Sequence, residues 1–289
     1  MGDTDAPELA ERALRASDAD ALMPLSIEAG WNQVAADWRF MLDAGRGFGI
    51  ADSSGRFVAS ALAHPVGPGL RWVGMVLTLR ESRRRGFGMH LLRRCVDDAV
   101  AGGGAAGLDA TELGRSLYPI LGFRELYRLS RWRLDWVGAP VAPPVGVTVR
   151  PASAADLDAI AAFDAPRSAM QRAGLLAHLL RRAPGIAHLA EAGGKLRGFV
   201  LGRDGRVASQ IGPIVADDEG VALALLQRAV TAGASSFLID VPDRHAVLRR
   251  WLEAAGAIAP RGFWRMARGD APGLDDASHL FALAGPELG

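Results

Sequence analysis

The order of structural signals along residues 14–135 is repeated along residues 149–268 at an offset of about 135 residues. Each stretch opens on a strand end followed by a capping Ser or Asp and a helix start, Leu14-Arg15-Ala16-Ser17-Asp18 and then Val149-Arg150-Pro151-Ala152-Ser153. A strand–turn–strand unit follows in both, GFGIADSSGRFVASALA and GIAHLAEAGGKLRGFVLG, with small polar turns at Asp52 to Gly55 and at Gly193-Gly194. An apolar strand then feeds a long helix, LRWVGMVLT into MHLLRRCVDDAV and SQIGPIVA into GVALALLQRAV. Each stretch closes with a strand, a short helix ending in Gly and a last strand. Between them lies PVAPPVG, residues 140–146, whose prolines mark a linker. This pattern predicts a tandem duplication of an α+β unit, with α/β/α layers and a mixed, mostly antiparallel sheet flanked by helices. The units are 1–139 and 147–289.

Several function classes are disfavoured by composition. A net charge of +1 gives no basic excess of the kind that phosphate-tracking nucleic-acid binders need. No apolar run of ~18 residues suggests a membrane span, and the acidic start MGDTDAPELAER lacks the layout of a secretory signal, so a cytoplasmic protein is expected. The single cysteine, Cys95, allows no internal disulfide and no cysteine zinc site; among Leu91, Leu92 and Val96 it reads as a small core residue. The six histidines show no metal-ligand spacing, so no metal is expected.

The segment with the most chemistry is Arg83-Arg84-Arg85-Gly86-Phe87-Gly88, where a strand enters a glycine turn just before a helix. Such a turn aims free backbone N–H groups and the positive end of the helix dipole at one point. Glycine allows positive φ and a close approach of anionic oxygens, and arginine adds forked donors. The arrangement suits a pyrophosphate. It is a poor match to a dinucleotide-binding Rossmann turn, because position 91, where a third glycine would stand, is Leu and a helix and a hairpin come first.

This turn resembles the Gln/Arg-x-x-Gly-x-Gly/Ala motif of the GNAT superfamily of acyl-CoA-dependent N-acyltransferases. The later Leu117-Tyr118-Pro119-Ile120-Leu121-Gly122-Phe123 is similar to that family's Leu-Tyr-x-x-x-Gly-Phe segment. The stretches Gly30-Trp31-Asn32-Gln33 and Asp37-Trp38-Arg39-Phe40, with the closing Ala-Gly-Pro-Glu-Leu-Gly, resemble a tandem subgroup in which an active domain precedes a degenerate one. The resemblance implies transfer of an acetyl group from acetyl-CoA to a primary amine by direct attack in a ternary complex. It assigns cofactor contacts to Val76, Leu77 and Thr78 on the strand and to Arg83, Arg84, Arg85, Gly86, Phe87, Gly88 and Met89 on the turn. Tyr118 takes the position of the general acid that protonates the leaving thiolate. For the general base Glu28, Asp109, Glu112, His64 and a water chain stay open, while Glu28, Trp31 and Asn32 are candidate acceptor contacts.

The second half departs from the motif. Where the first has its arginine-glycine turn, it has Asp217-Asp218-Glu219, which stabilises a helix N-terminus but repels a pyrophosphate. It also lacks a tyrosine near Trp251. It is therefore expected not to bind CoA, and to pack on the first half and complete or cover the acceptor site, or serve a structural role. The acceptor is a small-molecule amine or a peptide or protein amine, and the chain a monomer or homodimer. A non-catalytic acyl-CoA-binding regulator is the alternative.

Overall fold

The structure, a computed structural model, describes residues 9–135, 143–231 and 236–289. In the first half β1 (Ala10–Ala13) is followed by α1 (Ala19–Glu28), α2 (Ala35–Ala44), β2 (Arg46–Ala51), β3 (Phe57–Gly67), β4 (Leu70–Thr78), α3 (Phe87–Val100), β5 (Ala105–Thr111) and β6 (Arg124–Leu134). The second half repeats the order with β7 (Thr148–Pro151), α4 (Leu157–Ser168), α5 (Ala173–Arg182), β8 (His188–Ala192), β9 (Lys195–Arg203), β10 (Ser209–Ala216), α6 (Glu219–Ala229), β11 (Phe237–Pro242), α7 (Ala246–Ala254) and β12 (Ile258–Arg268). A short β13 (Leu280–Ala282) ends the series. Of the linker, residues 140–142 lie outside the described residues, and Pro143 to Gly146 are exposed.

The strands form one continuous sheet in the order β1-β2-β3-β4-β5-β12-β6-β11-β10-β9-β8-β7, with β13 paired to β10. Most neighbours are antiparallel; β4 with β5 and β10 with β11 are parallel. Residues Phe57 to His64 of β3 are buried without alternation, as expected for a strand covered on both faces. Its covering helices are α1, α2 and α3, whose apolar residues Leu22, Trp38, Met41, Leu91, Leu92 and Cys95 join the core.

Two features differ from the sequence expectation. The short helix expected after β5 is a pair of single 3₁₀ turns, Arg115–Leu117 and Pro119–Leu121. Pro119 lacks an amide hydrogen and opens the second turn, which closes on Gly122 at φ 78°. The larger difference is that neither half keeps its last strand to itself. Strand β12, from the second half, lies between β5 and β6, pairing Arg265 with Asp109 and Phe263 with Leu129. Strand β6, from the first half, in turn pairs with β11, Arg131 opposite Asp240. The two halves have exchanged edges, so the hydrogen-bond ladder does not break at the linker.

Buried charges fasten this junction. The Arg265 guanidinium donates two bonds of 2.9 Å to the Asp109 carboxylate, and Arg131 donates two of 2.7 Å to Asp240. From α2, Asp37 accepts from Arg182 at 2.8 Å and from Arg203 at 2.5 Å, and Arg203 also pairs with Glu287. Among the described residues no helix is long and apolar enough to cross a membrane.

Candidate active site

Strands β4 and β5 run side by side only from Leu70 to Trp72 and Ala105 to Gly107, then separate. Separation leaves the amides of β4 beyond Trp72 without a partner on that side. Strand β4 also carries a bulge: Ser60 pairs with Leu77 but Leu62 with Gly74, so Met75 and Val76 face a single residue of β3. Met75 stands at φ 54°, and the Ser60 hydroxyl donates to its carbonyl at 2.8 Å. Positive φ at a methionine is unusual, and it turns the strand at the mouth of the opening. Val76 and Thr78 are half-buried there, whereas the Leu77 side chain points into the core.

Beyond Thr78 a 3₁₀ turn, Arg80–Ser82, leads to the arginine-glycine turn. Arg84 and Gly86 hold φ of 62° and 81°, a reversal that brings the chain to the start of α3. No atom lies within 4 Å of where a Gly86 Cβ would sit, so its φ, not crowding, calls for glycine there, and the space above it is open. A Cβ on Gly88 would meet Thr78 Oγ1 at 3.2 Å, a close packing of helix start on strand end. The amides of Phe87, Gly88 and Met89 precede the first intrahelical bond, His90 N–H to the Gly86 carbonyl at 2.9 Å, and no side chain caps them. Arg83 donates to the Thr78 carbonyl at 3.2 Å and Arg85 lies over the Phe87 ring, while all three arginines remain exposed. This cradle of free amides, open glycine and exposed guanidinium groups fits a pyrophosphate.

The opening between β4 and β5 continues into a pocket lined by Val73 to Val76, Asp109, Thr111 and Tyr118 from the first half. Its remaining wall includes Trp31 and Gln33, Arg131, Arg261 and Phe263, and Pro286-Glu287 of the final segment. Tyr118 packs edge-on against Phe123, and its hydroxyl has no hydrogen-bond partner among the described residues. Burial pushes the phenol up to about 12, so it keeps its proton at neutral pH.

The other candidates fall in different places. Asp109 lines the pocket, but both its oxygens are held by Arg265; burial raises the carboxyl, with the guanidinium offsetting part of that. Glu28 stands at the end of α1 and accepts the Arg80 amide at 2.7 Å, which fastens the strand exit. Glu112 is exposed and accepts from the Trp264 indole at 3.2 Å. Trp31 does line the pocket, whereas Asn32 is buried behind it, bonding Val207, Ala208 and the Ala208 carbonyl at 2.8, 3.1 and 2.9 Å. Asn32 thus clasps the two halves. Sequence reading gave no site role to Ser60, Met75, Gln33, Arg261 or Glu287; the last three come together only through the fold.

His64 is buried, with its Nε2 at 3.0 Å from the Glu287 carbonyl, and it tethers the final segment. Desolvation pushes its pKa down to about 4 from the ordinary 6.5. Below 6.5 the unfolded chain gains a proton that the folded chain refuses until about 4, so this contribution to stability is present above 6.5 and lost as pH falls through that window. At about 1.4 kcal/mol per unit, lowering the pH from 7 to 5 should cost about 2 kcal/mol through His64. His64→Gln should flatten that dependence in urea unfolding; an unchanged slope would count against it.

The second half carries the same opening but fills it. Strands β10 and β11 pair in parallel from Ser209 to Ile211 and Phe237 to Ile239. Beyond that, β13 lies against β10 at Ile214 and Val215, and Leu283 bridges to Asp240. At the start of α6 the Asp218 carboxylate already accepts the Val221 amide at 2.9 Å, and Asp217 is held by Arg167 and Arg197.

A parallel pair that opens beside a glycine turn at a helix N-terminus recurs in a family to which both halves of the chain match. Residues 10–123 match the Acetyltransferase (GNAT) family and residues 160–282 an Acetyltransferase (GNAT) domain. The chain belongs to the GNAT acetyltransferases and carries two GNAT domains in tandem. It is similar to the uncharacterized N-acetyltransferase YitH of Bacillus subtilis (strain 168), 23% identical over 228 residues that cover 78% of this chain and 80% of the relative. A candidate acetyltransferase from Pyrococcus horikoshii shares the fold with a TM-score of 0.79 at 19% identity, over 100% of this chain and 99% of that one. So does a tandem GNAT protein from the clavulanic acid biosynthesis pathway, with a TM-score of 0.64 at 15% identity, over 91% and 98%.

Proposed function

We propose that the chain is an acetyl-CoA-dependent N-acetyltransferase whose residues 1–139 carry the catalytic site and whose residues 147–289 complete it without binding CoA. The observation that carries this reading is the β4–β5 opening: Tyr118 lines the pocket there, and the same strand β4 leads on to the uncapped amides at Phe87 to Met89. The amides of residues 84–89 and the three arginines would hold the pyrophosphate. The unpaired backbone of Val76 to Thr78 would hold the pantetheine arm and polarise the thioester carbonyl. A neutral primary amine attacks that carbonyl, the carbon–sulfur bond breaks, and Tyr118 supplies the thiolate with its proton. Asp109 is disfavoured as the base by its bidentate partner, so a water chain is the better route for the amine proton.

Two features support an inactive second half: β13 occupies its cleft, and Asp218 occupies the amides that would face a phosphate. Calorimetric titration should give one acetyl-CoA site per chain. Gly86→Glu should abolish it, because a side chain at φ 81° is strained and its carboxylate repels the pyrophosphate. Two equivalent sites would overturn the assignment of the second half; no binding by the wild type would overturn the function.

A further inference from the structure

One guanidinium lining the pocket beside β4 makes no ion pair with the protein among the described residues. The pocket's acidic residues Asp109 and Glu287 are paired with Arg265 and Arg203, and Arg131 is paired with Asp240. Arg261 lines the same pocket and has no ion pair or hydrogen bond among the described residues. It stands opposite Arg131 in the β12–β6 register, so a second guanidinium lies on the neighbouring strand. Arg261 is exposed, so its guanidinium is accessible to an entering anion; partial burial and the neighbouring Arg131 push its pKa down, and Asp240 offsets part of that.

A second group is also left over. Gln33 is 3% exposed and lines the pocket, yet its Oε1 has no donor among the described residues. A buried amide oxygen without a donor is costly to leave unsatisfied, and an amine brings N–H donors. Glu287 uses one oxygen for Arg203 and keeps the other without a hydrogen-bond partner.

We propose that the acceptor is a small primary amine that also carries a carboxylate, an amino acid or close analogue, with Arg261 binding the carboxylate and Gln33 and Glu287 receiving the amine. This rests on the acetyltransferase reading. It makes Arg261 a specificity-determining residue with no part in the chemical step. Bringing an anion to Arg261 completes the charge pairing of the pocket, and an amine near Gln33 satisfies its oxygen. Polyamines and other purely cationic amines bring like charge to Arg261 and are disfavoured.

The test follows CoA thiol release by the full chain with each common amino acid and with its C-terminal amide, which keeps the amine and removes the negative charge. The wild type should use at least one free acid at least about tenfold more efficiently than its amide. Arg261→Ala should raise the KM for that acid about tenfold and bring acid and amide within about twofold, with the KM for acetyl-CoA unchanged. Arg261→Lys should restore part of the preference, and Gln33→Leu should raise the amine KM without changing that preference. Turnover of amides as efficient as of acids, no turnover of any amino acid, or an Arg261→Ala effect on acetyl-CoA instead, would each overturn the proposal. Acetyl-CoA binding measured on the same samples separates these outcomes from failure of the underlying reading.

Discussion

Tyr118→Phe is expected to lower kcat by at least about a hundredfold while leaving acetyl-CoA affinity near the wild-type value. The substitution removes one oxygen from a side chain that otherwise packs against Phe123, so the fold loses little. What it removes is the phenol hydroxyl that the Leu-Tyr segment places at the pocket. Because burial pushes the phenol up to about 12, the wild-type rate should show no alkaline loss from this group below about pH 10. Steady-state kinetics over pH 6–10 check both statements. A variant with unchanged kcat would mean that water protonates the thiolate and that Tyr118 only packs. Unchanged acetyl-CoA binding with no turnover in either protein would instead favour the binding-only regulator.

The second large effect concerns stability. Arg203 is 1% exposed and bridges Asp37 of the first half to Glu287 of the final segment. Truncating it to Ala leaves two buried carboxylates short of a counter-charge, although Arg182 still reaches Asp37. Loss of one partner of such a buried pair typically costs about 3–5 kcal/mol, a large part of a domain's usual margin of ~5–15 kcal/mol. Arg39→Ala, which breaks the exposed pair with Asp20, should cost under ~1 kcal/mol. Urea midpoints at constant slope make the comparison. Equal shifts for the two variants would show that the buried network is not what fastens the halves.

Local chemistry made part of this legible in advance. The turn at Arg83 to Gly88 could be read because positive φ and close approach demand glycine, and because a helix start has known donors. The repeat could be read because strand and helix periods survive divergence. The exchange of β6 and β12 left no such trace: Ile258 to Arg268 reads as a strand equally well whichever strand lies beside it. The one available signal was electrostatic. Asp109 and Arg265 are opposite charges set inside apolar strands, one in each half, and such charges are seldom buried except as partners. Gln33 and Glu287 lie in segments that carried the family resemblance without a role of their own, and Arg261 in none; they acquire a joint meaning only when three distant segments meet at one pocket.

The strand exchange also sets the order in which the molecule can mature on the ribosome. The edge of β5 at Asp109 waits for Arg265, about 156 residues further along, which at ~5–20 residues per second is roughly 8–30 s of synthesis. During that interval the cleft lacks the wall that Arg261 and Phe263 provide. A nascent first half therefore cannot be finished as an independent unit, and the candidate pocket gains this wall only once residues through Phe263 have emerged.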